Sequence, residues 1–153
     1  MVSFILGTSD SVGVLKGNDL HRDETYNSDW WSIDLPPEWG VREDEECTTF
    51  TSTSSPGVLQ VSAVRKPNGA VTLQDLQEFA SGSPNEVESL VSTELGAISG
   101  VTCESVQNGK HWKKWWLRKG PILVFLTFNT AVESKDNGKS MVDKLIATLA
   151  IHE

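Results

Sequence analysis

The chain has 153 residues, 38% of them hydrophobic and 22% charged, with a formal net charge of −8. That length supports one domain with a real core, burying roughly 68–70% of the surface the unfolded chain exposes, and the composition is far from that of disordered chains. The acidic balance argues against nucleic acid or an anionic membrane as the main partner and is compatible with a basic protein.

No apolar run is long enough to span a bilayer. The start, Met1-Val-Ser-Phe-Ile-Leu-Gly7, is apolar but brief, lacks a basic leader and meets Asp10 at once, so the expected location is cytoplasmic. Cys47 and Cys103 do not make a metal site or a disulfide framework, and read as two free thiols, with one bridge left open if the chain is exported.

Residues 1–28 have weak periodicity and much Gly, Ser, Asp and Asn, and read as a short strand, a hairpin or an arm. Trp31, Ile33 and Leu35 alternate as one face of a half-buried strand, which Pro36-Pro37 stops. Residues 43–46 form a charged bend. The Thr-rich stretch from Cys47 to Ser54 reads as a strand with Phe50 on the face opposite Cys47. After the Pro56-Gly57 turn, residues 58–65 form another strand, with Leu59, Val61 and Ala63 pointing one way. Pro67-Asn68-Gly69 ends it.

The period then changes. Thr72 and Asp75 have the spacing of a capping box, and Leu73, Leu76, Phe79 and Ala80 follow on one helical face. Ser83, Pro84 and Glu86 predict a second helix start; Val87, Leu90, Val91, Leu95 and Ile98 are its apolar stripe, with Gly100 as its stop. A three-strand meander begins at Val101. Asn108-Gly109 is its two-residue turn, because both positions must tolerate positive φ. The strand after Gly120-Pro121 is apolar at both parities: Ile122, Val124, Leu126 and Phe128 on one face, Leu123 and Phe125 on the other. Such a strand lies inside a sheet covered on both sides. A last helix from near Ser140 carries Met141, Val142, Leu145, Ile146 and Leu149.

The expected order is β-β-β-α-α-β-β-β-α in a single domain, 1–153. The expected fold class is α+β, a mostly antiparallel sheet of about six strands with helices packed on both faces. This order, with Trp31-Ser-Ile-Asp-Leu-Pro-Pro-Glu-Trp39 near the start and Trp115-Trp-Leu-Arg…Ile-Leu-Val-Phe-Leu-Thr-Phe-Asn129 before a final helix, resembles the PsbP-like superfamily over roughly residues 28–151. That group has an α/β/α sandwich and includes a photosystem subunit, a Ran-binding import factor and many small bacterial proteins of unknown role. The resemblance implies a small bacterial binding or assembly factor without a shared catalytic motif, so no functional residue carries over.

Cys103 and His111 are the nearest Cys/His pair, and a thiolate nucleophile needs a base within hydrogen-bond reach. A two-residue turn at Asn108-Gly109 sets Cys103 opposite Lys114 and Val106 opposite His111. Cys103 then shares a face with Ser105, Trp112 and Lys114, while His111 lies on the other face with Lys113 and Trp115. The sheet separates them, and Glu104 faces Lys113 as a favourable pair. His21, His111 and His152 have no paired-ligand spacing, the acidic run lacks a calcium loop's pattern, and there is no nucleotide fingerprint or nucleophile elbow. No catalytic residue, metal or cofactor is assigned.

Lys110-His-Trp-Lys-Lys-Trp-Trp-Leu-Arg-Lys119 holds five of the 13 Lys and Arg and three of the six Trp. Interleaved cations and aromatics suit single-stranded nucleic acid, which the overall charge opposes; they equally suit a strand with a core side and a soluble side. As a surface, Trp112, Lys114, Trp116 and Arg118 share one face and form the candidate partner-binding site. The functional expectation is a non-catalytic binding or assembly module with a protein partner, in its specific form an acidic, immunity-type partner of a basic protein. A small-ligand carrier and a hydrolytic enzyme using a carboxylate pair in a cleft are the alternatives.

Overall fold

The computed structural model describes residues 24–53, 56–80 and 90–153, and the backbone of 5–6. The strands are β1 (Ile5–Leu6), β2 (Glu24–Asn27), β3 (Trp31–Leu35), β4 (Trp39–Glu43), β5 (Thr48–Ser52), β6 (Val58–Arg65), β7 (Val91–Leu95), β8 (Ile98–Gln107), β9 (Lys110–Lys119), β10 (Ile122–Ala131) and β11 (Ala150–Ile151). Two α-helices are described, α1 (Leu73–Ala80) and α2 (Lys135–Ile146), the latter entered through a single 3-10 turn at Val132–Ser134. Every strand pair is antiparallel. The larger sheet runs β4-β5-β6-β10-β9-β8-β7, with β1 pairing to the far stretch of the β6 edge, and a smaller sheet runs β11-β3-β2.

The turns build the large sheet. Asn108 (φ 53°) and Gly109 (φ 74°) both take positive φ, the two-residue turn expected for that pair. It sets the register Cys103↔Lys114 and Val106↔His111. β10 pairs along its whole length with β9 on one side and with β6 over eight residues on the other, so it is a central strand, and its two faces contribute to two different clusters.

The larger core lies on the Ile122/Val124/Leu126/Phe128 face. There Phe50, Leu59, Val61, Trp115 and Leu117 meet Tyr26, Trp31, Ile33 and Leu35 from the small sheet and Val142, Leu145 and Ile146 from α2. Tyr26, Trp31 and Phe50 make its aromatic contacts, with ring centroids 5.3–6.1 Å apart. A smaller cluster on the other parity joins Leu123, Val64, Val101, Cys103 and Trp116 to Leu76 and Ala80 of α1.

Three expectations change. Residues 90–100 are not helical: Val91–Leu95 and Ile98–Gln107 pair as a hairpin across Gly96, whose φ of 63° supplies the first central position of a tight turn. The predicted start of that helix, 83–86, lies outside the described residues. Secondly, α2 begins at Lys135, one turn and more before Ser140. Thirdly, the order within the described residues is β1–β6, α1, β7–β10, α2, β11, and the long path has seven strands. The layer over the larger core is the small sheet together with α2, because Trp31, Ile33 and Leu35 belong to a strand of a separate sheet.

Candidate functional site

The register separates Cys103 from His111. Cys103 is 3% exposed in the cluster with Trp116 and α1, whereas His111, on the opposite face, has its Nε2 3.2 Å from Glu104 Oε1. No nucleophile–base pair forms between them, since a strand's neighbouring residues point to opposite sides.

Trp112, Lys114, Trp116 and Arg118 do share a face, with unequal surroundings. Trp116 is 2% exposed, stacked on Phe125 at 5.2 Å and packed with Leu76 of α1. Arg118 donates to the Val71 carbonyl at 3.0 Å and to Ser99 Oγ at 3.3 Å. These two are engaged in seating α1 and the segment before it. Trp112 and Lys114 are half-buried farther along β9, with the Lys114 ammonium 5.9 Å from the Trp112 ring centroid.

The other face of the β8–β9 hairpin carries an ion network. Glu104 is bonded by Lys139 of α2 at 3.0 Å as well as by His111. Lys113 reaches Asp143 of α2 at 3.2 Å and lies 5.1 Å from the Trp115 ring. Glu104 stands opposite Lys113 as expected, and each also pairs with a residue of α2. Burial works to raise the Glu104 carboxyl, but the Lys139 hydrogen bond and the nearby Lys139, Lys113 and His111 charges outweigh it and hold it below the ordinary carboxylate value. Lys139 is raised in turn by the Glu104 hydrogen bond. This network clamps α2 to the hairpin. Its members on α2, Lys139 and Asp143, lie too far along the chain from Glu104 and Lys113 to be paired by spacing.

A third constellation joins two turns from the two sheets. The β2–β3 turn, closed by Ser28 N–H donating to the Trp31 carbonyl, brings Asp29 and Trp30 beside the β4–β5 turn, closed by Asp44 N–H donating to the Cys47 carbonyl. Asp29, Asp44, Glu45 and Glu46 line the cleft together with the half-buried Trp30, and no Lys or Arg is among its described lining residues. Its interior is about 10 Å³, room for about one water molecule. It is therefore a surface, too narrow to enclose a small molecule. The charged bend is visible in the sequence, but Asp29 and Trp30 join it only through the pairing of β2 with β3. Glu43, the last residue of β4, turns away and accepts the Tyr26 hydroxyl.

Among the described residues, no group of three or more His, Cys, Asp and Glu is placed to hold a metal ion, and no helix is long and apolar enough to cross a membrane.

No protein-family model matches the chain, and none of the curated proteins matches it. Solved structures do. It is similar to the solution structure of cyanobacterial PsbP (CyanoP) from Synechocystis sp. PCC 6803, with a TM-score of 0.63 and 14% identity, covering 92% of this chain and 99% of that one. It is also similar to a crystal structure from Bacteroides thetaiotaomicron VPI-5482, with a TM-score of 0.58 and 19% identity over 81% of this chain and 46% of that one. This chain thus spans about half the length of the Bacteroides protein. The fold is PsbP-like. At such identities the likeness is one of fold alone and transfers no residue role.

Proposed function

We propose that this chain is a non-catalytic binding module whose partner is a basic protein, engaged by the acidic end formed from the β2–β3 and β4–β5 turns. One observation carries the reading: Asp29, Asp44, Glu45 and Glu46, from turns of two separate sheets, line one cleft with Trp30, and no Lys or Arg is among its described lining residues. Carboxylates clustered on a rim steer a basic surface and set its register, and an indole face adds attraction for an ammonium or guanidinium. The overall charge of −8 acts in the same direction. The narrowness of the cleft favours protein side chains presented from outside over a swallowed ligand. An acidic domain that neutralises a basic protein is the form of assembly this supports.

The test is a titration of the full chain with a synthetic Lys/Arg-rich peptide at low and at physiological salt. Binding should weaken with salt. The triple substitution Asp29→Asn, Glu45→Gln, Glu46→Gln should lower affinity about tenfold, given a few tenths to 1 kcal/mol per exposed charge. Equal binding by the triple variant, or no binding at low salt, rejects the proposal.

A further inference from the structure

The larger sheet ends on β4 at one side and on β7 at the other, and the two edges differ. At β4 the Trp39 N–H is already taken by the Pro36 carbonyl at 3.2 Å, and the strand carries the charged Arg42 and Glu43. β7 reads Val91-Ser92-Thr93-Glu94-Leu95, and among the described residues it pairs with β8 alone, in an unbroken register. It carries no lysine, proline or bulge, the devices that blunt an exposed edge. Val91 is 61% exposed, and Ser92 and Glu94 are exposed with it.

The hairpin fixes which backbone groups of β7 face outward. Gly96 and Ala97 form its two-residue turn, so Leu95 and Ile98 are the closing, hydrogen-bonded pair. Bonded and unbonded pairs alternate along an antiparallel ladder. Val91 and Thr93 therefore bond inward, to Thr102 and Gly100, and the N–H and C=O groups of Ser92 and Glu94 point away from the sheet. The Asn108-Gly109 turn gives the same phase from the other side of β8. Counted from its closing pair Gln107↔Lys110, residues 99, 101 and 103 bond to β9, which leaves Ile98, Gly100 and Thr102 for β7.

We propose that β7 pairs with β7 of a second copy of this chain, antiparallel about a two-fold axis through Thr93. Parity selects the register. Outward-facing residues must meet outward-facing residues, so Ser92 of each copy meets Glu94 of the other, and each such pair exchanges both of its N–H···O bonds. Thr93 then faces Thr93 across the axis, and Val91 faces Leu95 on either side of it, pairs of the kind that stabilise a ladder. A shift by two positions one way sets Glu94 against Glu94, which like charge opposes; the opposite shift carries Leu95 past the end of the partner's β7. The interface is isologous and closes at two copies. It covers Val91 and joins the two large sheets into one. With five residues on each side, it is smaller than the roughly 1,000 Å² of a stable complex, so the dimer is weak. The charge of −8 on each copy opposes it further. β7 lies at the other end of the strand order from the β4–β5 turn, so this site is separate from the acidic end.

Sedimentation equilibrium of the full chain, from about 10 µM to about 1 mM, should show a monomer–dimer equilibrium with a dissociation constant of about 0.1–1 mM. Added salt should strengthen it by screening the repulsion between copies, the reverse of its effect on binding to a basic peptide. In hydrogen exchange, the Ser92 and Glu94 amides should gain protection as concentration rises, while that of Thr93, already bonded to β8, should not. Ser92→Pro deletes an outward N–H and no bond to β8. It should keep the melting temperature of the dilute chain and weaken the dimer about tenfold, through one lost bond per copy. Val91→Lys, at an exposed position, should weaken it about fivefold, and decides the matter if the proline variant does not fold. A monomer mass at every concentration overturns the proposal, whether or not the edge accepts some other strand. A dimer that these substitutions leave unchanged, or whose new protection falls outside β7, overturns it as well.

Discussion

Lys66 Nζ lies 2.7 Å from a carboxylate oxygen of Asp75, and that same oxygen accepts the backbone N–H of Thr72 at 2.9 Å. Thr72 Oγ1 in return accepts the N–H of Asp75 at 3.1 Å, which completes the reciprocal cap at the start of α1. The side chains of Lys66 and Asp75 are only 18% and 5% exposed, so this pair counts for more than a surface ion pair. The Lys66 hydrogen bond first, then the Thr72 N–H, hold the Asp75 carboxyl below its ordinary 3.8, against the effect of burial. A carboxyl depressed in the folded state adds stability that is complete above its unfolded value and is lost as pH falls through the folded one. Stability should therefore decline from about pH 4 downward. Asp75→Asn should cost about 2 kcal/mol at pH 7 and flatten the acid limb of a plot of melting temperature against pH. An acid limb as steep as in the parent chain contradicts this account.

Thr130 should be better replaced than kept. Its hydroxyl is buried and has no hydrogen-bond partner, while its methyl group lies on the side of Gly138 of α2. Thr130→Val keeps the shape and removes the unpaired polar atom. A gain of about 1 kcal/mol is expected in a urea titration. A loss of stability shows that the hydroxyl is satisfied in solution.

Gly100 is required by a close approach of two strands. A Cβ there would stand 2.0 Å from the Trp116 carbonyl oxygen and 2.9 Å from Leu117 Cα, both backbone atoms that cannot swing aside. Gly100→Ala should cost about 3 kcal/mol through displacement of β8 from β9, read as a lowered denaturation midpoint and lost amide protection across this pair. Near-parent stability rules out the pairing Gly100↔Leu117.

The two thiols should react in sequence. Cys47 is half-buried beside the acidic turn, and Cys103 is 3% exposed beneath α1. Iodoacetamide should label one thiol of the native chain, assigned to Cys47 by peptide mapping, and the second only in denaturant. Faster labelling of Cys103 would mean an activated thiolate, which its separation from His111 does not provide.

The part of the fold that could be read in advance is the part set by residues close in sequence. Asn108-Gly109 places every side chain of the β8–β9 hairpin, and the double apolar parity of β10 marks a central strand, because each signal depends on a few adjacent residues. The Thr72/Asp75 cap is legible for the same reason. The helical stripe misleads over Val91, Leu95 and Ile98, because that spacing can also be filled by two strands of a hairpin. Pairing with Val101, Thr102 and the partners beyond them in β9 decides that case, and such pairing is a property of context more than of the segment itself. Of the candidate surface residues, Trp116 is packed in the cluster with α1 and Arg118 is bonded to Val71 and Ser99, contacts that no local pattern states.

Sequence alone thus determined the Asn108-Gly109 turn, the facing of the side chains along β8 and β9 on either side of it, the cap of α1 and the lack of an approach between Cys103 and His111. These follow from backbone sterics and a two-residue period, which act over a handful of positions. Only the tertiary structure decided that Asp29 and Trp30 meet residues 44–46 and that Glu104 pairs with α2. Those groupings join segments far apart in the chain, and they exist because burying Trp31, Ile33 and Leu35 against Phe50 and Leu126 forces the two sheets and α2 into one arrangement.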